Sequence, residues 1–263
     1  MTVAYDGTNY HGWQEQPGEV TVEGELNKAL TELTGEEIRV TGASRTDAGV
    51  HAYGNLAAFD SETPIPAERL PLAVNTMLPA DIRVVGAKEV MQDFHPRKTG
   101  APKTYTYHIA CGAYEIPTRR LYSWFVPYTL DTDKMNRAAR DLIGEHDFAG
   151  FSSSKTQALT TVRTIYRAEV TRRGDELIFT IEGSGFLYNM VRILAGTLVD
   201  IGRGHLPEDT IRKVLENRDR TTAGQTAPPE GLFLEGYRLW GGLNLKNCLI
   251  FLLTRKLDAY IML

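Results

Sequence analysis

Cysteine is scarce. Only Cys111 and Cys248 occur in 263 residues, far apart and in no CxxC spacing. This excludes a disulfide framework and a zinc ribbon and fits a reducing cytosol. No basic-then-apolar leader opens the chain, so no signal peptide is expected. The longest apolar run, Cys248 to Leu253, falls far short of the roughly 18 residues that a membrane span needs. The six histidines include no HxxxH pair. Internal repeats and low-complexity stretches are absent. An excess of positive charge is also missing: the net charge is −4, which leans against the uniformly basic domain of many nucleic-acid binders.

The average conceals clustering. Arg97, Lys98 and Lys103 lie together without an intervening acid. Arg163, Arg167, Arg172 and Arg173 form a second group, interrupted only by Glu169. An acidic protein can therefore carry a basic face. At 42% hydrophobic residues, the chain has enough apolar content for a packed core.

Two kinds of segment alternate. Val22, Leu26, Ala29, Leu30 and Leu33 follow a helical stripe, and Gly35 suits its C-terminal cap. Met135, Ala138, Ala139, Leu142 and Ile143 form a second stripe, opened by Asp131 or Thr132 and stopped by Gly144. Leu206-Pro207 opens a third helix, with Ile211, Val214 and Leu215 inward and Pro207 in its first turn. Leu187, Met190, Val191, Leu194 and Leu198 make a fourth. Strand-like runs cover 2–5, 37–41, 55–59, 83–90, 104–111, 160–171 and 177–182. Without strict βαβ alternation, the expected class is α+β with antiparallel sheets. The basic, proline-bearing segment 94–102 marks a junction between two halves, taken as 1–97 and 98–238, followed by a tail, 239–263.

Gly42 to His51 follows a strand and is rich in small and polar residues, so it can approach a ligand closely. If 45–47 is extended, Arg45 and Asp47 point to one face. An ionised, positioned carboxylate can act as nucleophile or general base. Taken alone, Asp-Ala-Gly reads more readily as a turn bonded to its own backbone than as a catalytic site. Likewise, Tyr105 reads as a strand aromatic sharing a face with Tyr107. Arg192 reads as an arginine snorkelling at the edge of an apolar stripe. Gly183-Ser184-Gly185 lacks the third glycine of a dinucleotide fingerprint.

Arg45-Thr46-Asp47-Ala48-Gly49-Val50-His51-Ala52 resembles the signature of TruA-type tRNA pseudouridine synthases. Ala4 to Gln14, Asp93 to Arg97, Lys103 to Tyr107, Gly144 to Phe148, Gly185 to Arg192 and Ala223 to Pro228 resemble further family motifs, in family order. The resemblance runs from about Val3 to about Leu234. It implies two RNA-recognition-like (ferredoxin-like) halves around a central cleft, a cytoplasmic homodimer that grips tRNA, and no cofactor or metal. The implied reaction isomerises uridine at tRNA positions 38, 39 and 40 of the anticodon stem-loop. By the same resemblance Asp47 is the catalytic nucleophile, Tyr105 stacks on the target base, Arg45 holds the opened RNA and Arg192 pairs with Asp47. Arg97 and Lys103 are expected on the RNA path.

Two rival functions are a non-catalytic RNA-binding module and a glycosidase-like carboxylate enzyme. The second needs another carboxylate close in space, for which Asp60 and Glu62 remain open. The apolar tail beyond Trp240 departs from the family pattern.

Overall fold

The computed structural model describes residues 1–153 and 158–238. The tail 239–263, with Cys248, lies outside the described residues. The elements, in chain order, are β1 (Thr2–Tyr5), α1 (Val22–Thr34), β2 (Thr41–Gly42), β3 (His51–Ala58), α2 (Leu70–Val74), β4 (Ile82–Gly86), β5 (Lys103–Cys111), β6 (Trp124–Val126), α3 (Thr132–Arg140), β7 (Gly144–Asp147), β8 (Val162–Arg173), β9 (Glu176–Gly183), α4 (Met190–Gly202), α5 (Thr210–Asn217) and β10 (Leu232–Tyr237).

Helix α1 forms where its stripe and caps place it. Thr21 is extended and its side chain accepts from Gly24 N–H, while Gly35 closes the helix in the left-handed region at φ 74°. Val22, Leu26, Ala29 and Leu30 are buried. In α3, Asp131 caps the N-terminus by accepting from Lys134 N–H. This helix ends at Arg140, before the fourth turn that its stripe suggested, so Ile143 is exposed rather than inward. Helix α5 begins at Thr210, beyond Pro207, because 208–209 form a turn first. In α4 every residue is buried except Arg192. The expected apolar stripe is therefore an apolar helix carrying one cation.

The strands form one sheet in the order β4-β1-β3-β10-β5-β9-β8-β7, with β2 on β3 and β6 on β5. Its first part follows β1-α1-β2-β3-α2-β4, the ferredoxin-like βαββαβ order. Its second part repeats that order as β5-α3-β8-β9-α4-β10, with β6, β7 and α5 added. The α+β class and the two ferredoxin-like halves read from the sequence are thus the architecture found. Pairings are antiparallel except β5–β6 and β3–β10.

Strand β10 has no counterpart among the sequence-derived runs, and it is the seam. Phe233 and Leu234 pair with His51 and Ala52 of β3, while Leu232 to Tyr237 pair with β5. Strand β2 occupies the other end of β3, opposite Ala57 and Ala58. The segment joining β2 to β3, residues 43–50, therefore lies at the line where the halves meet. No helix among the described residues is long and apolar enough to cross a membrane.

Candidate active site

The 43–50 segment is irregular backbone, and the opening of the chain holds it in place. Trp13 N–H donates to Thr46 O at 3.1 Å, and Gly49 N–H donates to Tyr10 O at 3.2 Å. Two glycines make this approach possible. A Cβ on Gly7 would stand 2.0 Å from Val50 O, and one on Gly12 would stand 2.4 Å from Thr46 O. Both are far inside van der Waals contact, so the opening motif serves as a cradle for the Asp47 loop. Trp13, fully buried, packs against Gly42, where a Cβ would stand 2.2 Å from its Nε1.

Polar groups beneath the loop fix it further. Tyr5 Oη and Thr46 Oγ1 share a hydrogen bond of 2.8 Å. Asn55, wholly buried on β3, donates from Nδ2 to Ser44 O at 3.0 Å and accepts from Tyr237 Oη at 3.0 Å. One amide thus joins β3, the loop and the seam strand, and a satisfied buried network of this kind favours a single arrangement. Ser44 Oγ is buried without a partner of full hydrogen-bond geometry.

Asp47 meets Arg192 of α4 across the seam. Arg192 Nη1 lies 3.6 Å from Asp47 Oδ2, and the side chains are 17% and 25% exposed. The separation makes this an ion pair rather than a tight hydrogen bond. Burial pushes the Asp47 carboxyl above its ordinary pKa; Arg192 pulls it back, and burial outweighs it. Asp47 is not a turn cap: only its carbonyl takes part in the local turn, accepting from Val50 N–H. Asp60 and Glu62 take no part in this pairing among the described contacts.

Arg192 is itself tethered. Its Nε donates to Ala227 O at 2.7 Å, its Nη1 to Asn189 Oδ1 at 3.0 Å, and its carbonyl accepts from Ala227 N–H at 3.1 Å. Segment 223–228 reaches α4 because Gly196 is bare: a Cβ there would sit 1.9 Å from Gln225 O. The Ala223–Pro228 motif therefore serves as the clamp of the Arg192 helix.

Tyr105 lies on β5 opposite Leu234 and Ile181. It is 7% exposed and meets Phe186 edge to face, with centroids 5.1 Å apart. Its hydroxyl is pushed up to about 12, first by burial and also by the Asp47 charge. Arg45 is exposed on the same loop.

The expected phosphate contacts are partly engaged with the protein. Arg97 Nε donates to Gly42 O at 2.9 Å, and Lys103 Nζ reaches Ala43 O at 3.5 Å. Both are anchors for the strand entering the Asp47 loop. Burial pushes the Lys103 ammonium down to about 8, and Arg163 and Arg97 add to the effect. The three cations are therefore close together, and none forms an ion pair with a described carboxylate. Arg167 is engaged by Glu169, and Arg172 donates to Leu130 O at 2.8 Å. Among the described residues no group of His, Cys, Asp and Glu is arranged to hold a metal ion.

At the seam between the two ferredoxin-like halves, a largely buried carboxylate–arginine pair thus lies near cations that pair with no described carboxylate. A family model described as tRNA pseudouridine synthase matches residues 1–97 and 138–238. The chain is 48% identical to the tRNA pseudouridine synthase A of Thermoanaerobacter sp. (strain X514) over 234 residues, 89% of this chain and 96% of that protein. It is 47% identical to the protein of the same name from Halalkalibacterium halodurans over 233 residues, 88% of this chain and 89% of that one. The chain belongs to the tRNA pseudouridine synthase family, whose members are isomerases. A solved chain from a Cbf5-Nop10-Gar1 complex aligns with 76% of this chain and 54% of its own at 14% identity and a TM-score of 0.33, a likeness too loose to bear on function.

Proposed function

We propose that this protein isomerises uridine to pseudouridine at positions 38, 39 and 40 of the tRNA anticodon stem-loop, as a cytoplasmic homodimer and without a cofactor. The observation that carries the site assignment is the Asp47–Arg192 pair, 3.6 Å apart across the seam though 145 positions separate the residues in sequence. On this reading the half 1–97 carries the Asp47 loop and the half 98–238 carries Arg192.

The target nucleotide must leave its stack, because its C1′ is out of reach inside a stem. Asp47 is the nucleophile, or the base that assists a glycal route. The N1–C1′ bond breaks, the base turns, C5 bonds to C1′, and the proton on C5 is lost while N1 ends protonated. Atoms balance, and no net oxidation occurs. Arg192 keeps a carboxylate available in a site whose burial favours the neutral acid. Tyr105 stacks on the extruded base, a contact worth about 1–3 kcal/mol when a base stacks. Arg45 contacts the opened strand.

The decisive experiment incubates the protein with unmodified tRNA and maps pseudouridine by mass spectrometry. Product at 38–40 supports the reading. Binding without product would favour the non-catalytic RNA-binding module.

Arg97, Lys103 and Arg163 are the proposed phosphate contacts nearest the loop. Arg163→Ala should weaken all tRNAs alike, because phosphates carry no sequence information. The slope of log affinity against log salt should flatten by roughly 0.7 to 0.9. Lys103→Ala and Arg97→Ala should do the same and also slow turnover, since each anchors a carbonyl of the loop strand. A salt series of binding measurements on the three variants tests this. An unchanged slope in all three would move the RNA path elsewhere.

A further inference from the structure

Asn189, the residue preceding α4, has φ 61° and ψ 4°. Only Arg218 shares a positive φ among the described non-glycine residues. Asparagine tolerates the left-handed region better than most side chains, but the conformation still carries a cost. An asparagine at a helix start ordinarily accepts from an N–H of the first turn. Here the side chain makes no such cap.

It turns instead toward Arg192. Asn189 Oδ1 accepts from Arg192 Nη1 at 3.0 Å, and Nδ2 donates to Ser153 Oγ at 2.9 Å. A guanidinium only donates, so the amide orientation is fixed by its partners. Ser153 N–H in turn donates to Tyr188 O at 3.2 Å, which ties the 148–153 segment to the same turn. Arg192 Nη1 carries two hydrogens. Asn189 takes one, and Asp47 lies 3.6 Å from the same nitrogen. With Nε held by Ala227 O at 2.7 Å, the guanidinium plane is fixed at two points.

We propose that Asn189 is a positioning residue for the reaction: it orients the Arg192 guanidinium so that one Nη1 hydrogen faces Asp47, and its left-handed backbone is the conformation that permits this. The inference rests on the reading of Asp47 and Arg192 as the reacting pair. The described side-chain hydrogen bonds of Asn189 go to Arg192 and Ser153 and not to Asp47.

Asn189→Gly is the informative variant, because glycine adopts the left-handed region freely and removes only the side chain. It should fold with unchanged or higher thermal stability. Its kcat on unmodified tRNA should fall about tenfold or more, the scale on which small misplacements of a catalytic group act, while KM stays at the parent value. The acid limb of its kcat–pH profile should move to higher pH, since a turned-away arginine no longer favours the Asp47 carboxylate. Asn189→Asp keeps the acceptor and tolerates the left-handed region, so it should recover most of the lost kcat. If Asn189→Gly retains the parent kcat and acid limb, the proposal is wrong. A kcat loss that merely tracks lower stability, with an unmoved acid limb, overturns it equally. An active Asp47→Asn variant would instead remove the underlying reading, so the two failures are distinguishable.

Discussion

Asp47→Asn should abolish pseudouridine formation, by at least about 10⁴-fold, the scale seen when one member of a covalent catalytic set is removed, while tRNA affinity stays close to that of the parent. The amide keeps the shape and loses the charge that makes the group a nucleophile or base. The variant should also be more stable at neutral pH. The folded carboxyl pKa is raised, with burial the largest cause. Between the unfolded and folded pKa values the native state binds more protons than the unfolded one. Stability therefore falls as pH rises through that window, and the ionised group is a net cost above it. An uncharged Asn removes this dependence. In the parent enzyme the same shift predicts an acid limb of kcat/KM that lies above the ordinary pKa of an aspartate. Stopped assays of product across pH, together with thermal unfolding of both proteins, check each part. Appreciable turnover by the purified variant would refute the role of Asp47.

That expected gain in stability is the counterpart of the site's design. The loop is held by Gly7, Gly12, Trp13, Tyr5 and Asn55, groups that do no chemistry themselves. They support a carboxylate in surroundings that favour its neutral form. Arg192 offsets that tendency only in part, and it is held by Ala227 and Asn189. Precision comes from rigid neighbours rather than from a short ion pair.

Local signals were legible in the sequence. The caps of α1 and α3, and the core positions of α1, rest on contacts within a few residues, so periodicity and cap chemistry expose them. Non-local features were not legible. Leu232 to Tyr237 becomes a strand because β3 and β5 stand on either side of it, not because of a strong intrinsic pattern. Periodicity gave α4 a stripe, yet the helix is enclosed nearly all round by the sheet, α3, α5 and segment 223–228. Arg97 and Lys103 read as cations for the RNA path alone, because nothing in the sequence pairs them with the carbonyls of Gly42 and Ala43. Asp47 and Arg192 entered as partners only through family resemblance, since no spacing rule links residues that far apart. One signal was available and unused. Gly7 and Gly12 flank a polar, aromatic run, and glycines so placed often mark close backbone approach.

Gly12→Ala should damage both folding and turnover, and comparison with Gly18→Ala separates the reasons. The two glycines have nearly the same φ, 87° and 81°. An alanine at either position meets the left-handed cost, roughly 1 kcal/mol or somewhat more. At Gly18 nothing lies within 4 Å of the new Cβ, so that cost should be the whole effect. At Gly12 the new methyl would stand 2.4 Å from Thr46 O and 3.2 Å from Asp47 C. Neither partner is a side-chain tip that can swing away. The loop backbone must move, and overpacking of this kind adds about 1–3 kcal/mol. The same displacement stretches the Trp13 N–H to Thr46 O bond and carries Asp47 away from Arg192. Gly12→Ala should therefore lose more stability than Gly18→Ala in a denaturant titration and should lose kcat by about 10²-fold. Gly18→Ala should keep the parent kcat. Equal stability loss and full activity in both variants would show that the cradle does not position the Asp47 loop.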